Sequence, residues 1–362
     1  MISNQVIQSM TEKLEGISHI GISVYELDGS RIAGAGRADE LKPTGIRSFI
    51  DSQADSQVLK ESTVFRVMDD GVTVYVLQAA GTDEQAFLVG RMALSNLQDL
   101  IVAYKERLDR NSFFQNLILD NMLLVDIYNR AKKLKIPVDV KWVVYVIEPQ
   151  SGGDVDGAEL IRTVFSGTES FVTAVDERDI ILIRTLEEDE DKESLKATAE
   201  MIADTMNTEA MVKVRISYGS IVREIRQVSQ SYKEARMALD VGKIFYEEKP
   251  IVPYSTLGIG RLIYQLQPSL CETFLKEVFD NEVPDYLDDE MLMTINKFFE
   301  NNLNVSETSR QLFVHRNTLV YRIEKLQKAT GLDLRNFDDA LTFKIALMVM
   351  SYMKQIRQEE KG

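Results

Sequence analysis

One cysteine, Cys271, and two histidines, His19 and His315, are all that 362 residues hold of those types. A lone cysteine excludes a disulfide framework and suits a reducing compartment. Two histidines leave almost nothing for a histidine-rich metal site, or for a Ser-His-Asp or Cys-His mechanism. Neither a Walker A pattern nor GxGxxG occurs, so any chemistry would rest on carboxylates, and no cofactor or metal is implied. The longest strongly apolar run, Ile345 to Met350, is far too short to span a bilayer. The opening MISNQVIQSMTEKLEG lacks a basic region followed by an apolar one, unlike a secretory signal. The expectation is a cytoplasmic protein with no membrane partner.

What is present is ample core material, at 44% hydrophobic residues, over a length that suits two or three domains. The net charge of −15 argues against a general polyanion binder. Locally the sign reverses. Between residues 310 and 328, Arg310, Arg316, Arg322, Lys325 and Lys328 face Glu324 alone. Attraction to phosphate acts over roughly a Debye length of about 8–10 Å, so the local sign decides.

That basic stretch reads as a helix-turn-helix. Asn304 caps a first helix, with Glu307 three residues on reaching back as in a capping box. Leu312-Phe313-Val314 forms the turn, and a second helix opens near His315 or Arg316. Leu319, Ile323 and Leu326 share its buried face by their i, i+4, i+7 spacing. Asn317, Tyr321 and Lys328 point the opposite way, flanked by Thr318 and Lys325, with Arg316 and Arg322 at the shoulders. The plain alternative is an ordinary two-helix packing element with a solvated basic face.

The run from Leu312 to Arg322, LFVHRNTLVYR, resembles the hallmark of the PucR-type helix-turn-helix, and Thr330-Gly331-Leu332-Asp333-Leu334 with Phe337-Asp338-Asp339 resembles its continuation. Ser309 stands where such domains usually place alanine; it is small enough to fit, and its hydroxyl can bond back to a helix carbonyl. The resemblance implies binding to double-stranded DNA, with His315, Arg316, Asn317, Thr318, Tyr321, Arg322 and Lys325 at the interface. Asn317, Thr318 and Tyr321 are the base-reading candidates; Arg316, Arg322 and Lys325 are the phosphate contacts, and His315 is a helix-end group or phosphate contact.

Toward the start, a helix over 2–15 precedes strands at 19–25 and 31–34, a helical middle, strands at 63–68 and 72–79, and a fifth strand from Ala86 to Leu94. Asp28-Gly29 and Asp70-Gly71 are hairpin turn signals. This order resembles a small PAS-like sensor, and ISVYELDGSRIAGAG resembles the sugar-diacid recognition segment of CdaR-type regulators. For an anionic small-molecule effector, Arg31, Arg47, Arg66 and Arg91 are the candidates, because a guanidinium fork suits a carboxylate.

From Asn96 to Met122 the pattern is helical, and Leu97, Ile101, Tyr104 and Leu108 follow a 4-3-4 spacing. Such a seam fits either a parallel dimer helix or a helix packed on its own domain. Beyond Pro137 a β-α-β-β-α-β-α order fits a ferredoxin-like sheet, with Lys141 to Ile147 as a central strand. ISYGS at 216–220 and SYKEARMAL at 231–239 resemble the GGDEF-like middle domain of the CdaR/PucR regulators. A cyclase of that fold needs a glycine-rich turn between its second and third strands. Here the turn is Val175-Asp176-Glu177-Arg178-Asp179, while Ser151-Gly152-Gly153-Asp154 follows the first strand and reads as a loop. Helices at 258–266 and 268–280, a boundary at 282–286, and helices at 289–302 and 338–356 complete the chain.

The fold class is α+β multidomain: a PAS-like sensor over 1–94, a helical signalling linker over 95–136, a degenerate GGDEF-like domain over 137–256, and an all-α helix-turn-helix domain over 257–362. The expected function is a non-enzymatic, ligand-responsive transcription regulator acting as a homodimer. The alternatives are a divergent nucleotide cyclase using Asp176, Glu177 and Asp179, and a non-DNA interaction scaffold.

Overall fold

A computed structural model describes residues 2–52, 54–150, 157–176, 178–279 and 288–359. The chain divides into two compact units between residues 113 and 114. The loop at 151–154, Glu177 and the boundary at 282–286 lie outside the described residues.

The first unit is one antiparallel sheet between helices. Its elements are α1 (Asn4–Ser18), β1 (Ile22–Tyr25), β2 (Arg31–Ala35), α2 (Pro43–Asp51), β3 (Ser56–Leu59), β4 (Ser62–Asp69), β5 (Val72–Ala80) and the start of α3 (Glu84–Ile118). The strand order is β2-β1-β5-β4-β3. Asp70 and Gly71 both have positive φ, 47° and 80°, as the Asp-Gly signal requires for a tight turn between β4 and β5. Because strand side chains alternate, Ile22, Val24, Phe65 and Leu77 pack with Ile7 of α1 and with Ala93, Leu94, Leu97 and Ile101 of α3. On the other face Tyr25, Val64 and Val76 pack with Ile46 and Phe49 of α2.

Two expectations change here. Ala86 to Leu94 is the first turns of α3, not a strand. A short continuous apolar run does not reveal its own period, but burial of Ala86, Gly90, Ala93, Leu94, Leu97 and Ile101 is helical in spacing. The third strand of the closing set is instead β3, an edge strand whose Val58 is exposed and whose alternation is too weak to read. Of the 4-3-4 seam, Leu97 and Ile101 belong to this unit's own core, Tyr104 packs against it and Leu108 is exposed. By length and composition α3 is apolar enough to cross a membrane, although its apolar residues form no long unbroken run; a third of its most apolar stretch is buried in the protein.

The second unit begins with the last turn of α3 and runs through α4 (Leu124–Lys133), β6 (Lys141–Pro149), α5 (Gly157–Val164), β7 (Ser170–Thr173), β8 (Ile180–Leu186), α6 (Lys192–Glu209), β9 (Val214–Tyr218), α7 (Val228–Phe245) and β10 (Ile251–Pro253). The sheet order is β10-β9-β6-β8-β7, with β10 parallel to β9 and the other pairings antiparallel. Lys243-Ile244-Phe245 ends α7, and the strand that follows is β10, three residues long. Val143, Tyr145 and Ile147 face α5 and α6. The opposite face carries Val146, covered by Ala235 and Leu239 of α7, and the fully buried Trp142. The end of α3 lies there too: the Phe114 ring is 4.3 Å from Phe171 and 6.0 Å from Trp142.

The ISYGS and SYKEARMAL segments meet in space. A Cβ on Gly219 would lie 2.0 Å from the Ser231 carbonyl, so α7 reaches the end of β9 because that position has no side chain. Ser231 Oγ accepts from the Val144 N–H at 3.1 Å and donates to the Ser220 carbonyl, while Ser217 Oγ donates to the Ala235 carbonyl.

The remaining helices are α8 (Gly260–Tyr264), α9 (Pro268–Val278), α10 (Asp289–Glu300), α11 (Val305–Gln311), α12 (Arg316–Thr330) and α13 (Phe337–Glu359). Ile295, Phe298, Leu319, Ile323, Leu326 and Phe343 join α10, α12 and α13 in one core. Farther along α13, Val349 and Met353 pack on Ile263 and Cys271.

Candidate DNA interface

The first helix of the pair, α11, starts at Asn304, whose side chain accepts from the N–H groups of Ser306 and Glu307 at 3.0 and 3.1 Å. Glu307 does not reach back in a capping box. Its carboxylate takes Arg310 at 2.5 Å and Gln311 at 2.7 Å, and the Arg310 guanidinium foremost holds it below the usual carboxylate range. A cation one turn along the helix outcompetes a backbone N–H for the same oxygens. Buried Ser309 donates to the Ser306 carbonyl at 3.0 Å, so serine satisfies its hydroxyl within the helix.

The turn Leu312-Phe313-Val314 delivers the chain to His315, the extended N-cap of α12, whose Nδ1 accepts from the Asn317 N–H at 3.2 Å. With Leu319, Ile323 and Leu326 buried, helical geometry sends Arg316, Asn317, Thr318, Tyr321, Lys325 and Lys328 outward, and all six are exposed. These positions form the contiguous polar and basic face that the spacing indicates.

Arg322 does not join that face. It is half-buried, donates to Thr294 Oγ1 at 2.9 Å and pairs with Glu290, so it ties α12 to α10. Its place on the helix wheel, at the shoulder, put it within reach of an acidic neighbour that lies far off in sequence.

The four candidate arginines, Arg31, Arg47, Arg66 and Arg91, stand on β2, α2, β4 and α3. Arg66 is structural. Its Nε donates to the Ala54 carbonyl and Nη2 to the Phe49 and Ile50 carbonyls, closing the end of α2. Nη1 meets Thr73, and the guanidinium lies 5.5 Å from the Phe49 ring centre. Arg31, Arg47 and Arg91 are exposed. A surface hollow of about 350 Å³ lies in the second unit, against Ser229, Lys233, Glu234 and Tyr254, and none of the four borders it.

In the turn before β8, Asp179 is buried and paired with Arg236, and Asp176 accepts the N–H groups of Arg178 and Asp179 at 3.0 and 2.9 Å. Asp176 therefore holds the turn's own shape, and Asp179 ties the turn to α7.

Residues 291–349 match the PucR C-terminal helix-turn-helix domain and residues 121–241 match the GGDEF-like domain. The chain is similar to the carbohydrate diacid regulator of Escherichia coli, 26% identical over 60% of this chain and 60% of that protein. It is also similar to the purine catabolism regulatory protein of Bacillus subtilis, 23% identical over 77% of this chain and 54% of that protein. A DNA-binding transcriptional activator of the same organism is 27% identical over 47% of this chain and 42% of its own length. The chain thus spans three-fifths or less of these relatives. Among solved structures, a regulator of polyketide synthase expression from Bifidobacterium adolescentis shares 15% identity over 68% of this chain and 92% of its own, at a TM-score of 0.36, too low to establish a common overall fold. With a GGDEF-like domain followed by a PucR helix-turn-helix domain, the chain is of the CdaR/PucR type.

Proposed function

We propose that this chain is a cytoplasmic, sequence-specific DNA-binding transcription regulator that works as a homodimer and responds to a small metabolite. The observation that carries the reading is the exposed face of α12, where six polar or basic side chains share one side of a helix whose other side is core. Asn317, Thr318 and Tyr321 read base edges, and His315, Arg316 and Lys325 meet phosphates. Arg322 acts behind them by fixing α12 on α10. One such helix reads only a few base pairs, so two copies on paired half-sites are required.

The four-part division at 1–94, 95–136, 137–256 and 257–362 carries the signal. The first sheet's order, β2-β1-β5-β4-β3, supports a PAS-like sensor, and the order β9-β6-β8-β7 supports a ferredoxin-like middle domain extended by β10. The middle domain is a relay and not an enzyme, because Asp176 is engaged by the turn's own N–H groups and Asp179 by Arg236 of α7. Similarity to a carbohydrate diacid regulator makes a sugar acid or diacid the first effector class to try. Arg31, Arg47 and Arg91 are the remaining anion contacts in the sensor.

Selection of bound DNA from a genomic pool by the full-length protein tests the reading. An enriched sequence whose binding is lost in Arg316→Ala with Asn317→Ala supports it. No enrichment, or enrichment indifferent to both changes, sinks it.

A further inference from the structure

Phe313 is exposed to 96%, although its neighbours Leu312 and Val314 pack into the core. Its φ is 54°, in the left-handed region. It follows the C-cap of α11, where Val314 N–H bonds the Ser309 carbonyl at 3.0 Å and Phe313 N–H bonds that of Arg310 at 3.3 Å. This is a Schellman closure, and its left-handed position usually falls to glycine. Any residue with a Cβ costs about 1–2 kcal/mol there.

Other helix ends in this domain show two ordinary solutions. Gly331, with φ 76°, closes α12 without a side chain, and Leu303, with φ 62°, gains packing in the core. Phe313 has neither. Met211 is also left-handed and 87% exposed, so strain with exposure does not by itself single out Phe313. Its place does: it precedes by two residues the N-cap of α12, at the end of the reading helix whose first turn contacts base edges.

We infer that Phe313 is a specificity-determining contact to the 5-methyl group of a thymine in the major groove. The inference rests on the DNA-binding reading above. A phenyl ring offers no hydrogen bond, and the thymine methyl is the apolar group that base edges present in that groove. The ring supplies apolar recognition beside the polar set of Asn317, Thr318 and Tyr321, and the backbone strain is retained because glycine would remove it.

The test uses the full-length protein and the DNA it selects, with each thymine replaced in turn by deoxyuridine. Wild type should lose affinity about fourfold at one position per half-site, the worth of a buried methyl. Phe313→Gly and Phe313→Asn should bind the intact site more weakly, show no response to that replacement, and melt as high as wild type or higher. Unchanged affinity in both variants overturns the inference, as does an undiminished methyl effect. So does a variant whose oligomeric state changes while DNA affinity per dimer does not, since Phe313 would then serve a protein contact. Failure of wild type to select any DNA is a separate result, and it removes the DNA-binding reading itself.

Discussion

Arg322 and Arg316 sit six positions apart on one helix and look alike in sequence, both basic and both off the buried stripe. What separates them is a pair of residues on another helix, Glu290 and Thr294, about 30 positions earlier, which the spacing of α12 cannot reveal. Arg322→Ala should therefore lower stability by roughly 1–2 kcal/mol, as expected for a half-buried charged hydrogen bond with an exposed carboxylate partner. It should leave the salt dependence of DNA binding nearly unchanged. Arg316→Ala should do the reverse, reducing the slope of log affinity against log salt by about one with no shift in melting. A slope change in the Arg322 variant as large as that in the Arg316 variant would return Arg322 to the phosphate contacts. Side chains facing solvent were legible, because period alone places them: Asn317, Thr318, Tyr321 and Lys325 lie as the wheel sets them. Side chains that reach across elements, such as Arg66 and Glu307, were not.

Among elements, long amphipathic helices and turns with positive φ could be read directly, as α12, α13 and the Asp70-Gly71 hairpin show. Short apolar runs could not. Ala86 to Leu94 is as compatible with a buried strand as with a helix until Phe65 and the rest of the first core are in place. β3 and β10 each hold four residues or fewer, too short to carry a period. The contact between β9 and α7 illustrates a motif whose resemblance was visible while its reason was not. Gly219→Ala should push the Ser231 carbonyl away and disrupt the hydrogen bonds of Ser231 to Val144 and Ser220. A loss of about 1–3 kcal/mol, typical of forcing extra volume into a packed contact, should appear as a lower melting temperature of the second unit. Melting equal to wild type would show that the backbone yields easily at this joint.

For the whole molecule, a chain of net charge −15 can bind DNA only through a face it holds away from its own acids, so affinity should fall steeply with salt. The proposed homodimer must use something other than the buried Leu97 and Ile101. On the solvent side of α3 in the first unit, Leu88, Met92, Ser95 and Val102 are exposed at helical spacing, with acidic Asp99 among them. Met92→Glu should shift the protein toward monomer at a given concentration in analytical ultracentrifugation, and an unaltered distribution would place the contact elsewhere. The aromatic meeting of α3 with the second sheet has a further consequence, because Trp142 is the only tryptophan in 362 residues and is fully buried there beside Phe114 and Phe171. The molecule thereby contains its own optical probe. Tryptophan emission, excited where tyrosine does not absorb, comes from a single apolar site beside the last turns of α3, and a change in its colour or lifetime on adding a metabolite would report a change in that packing, with no label attached.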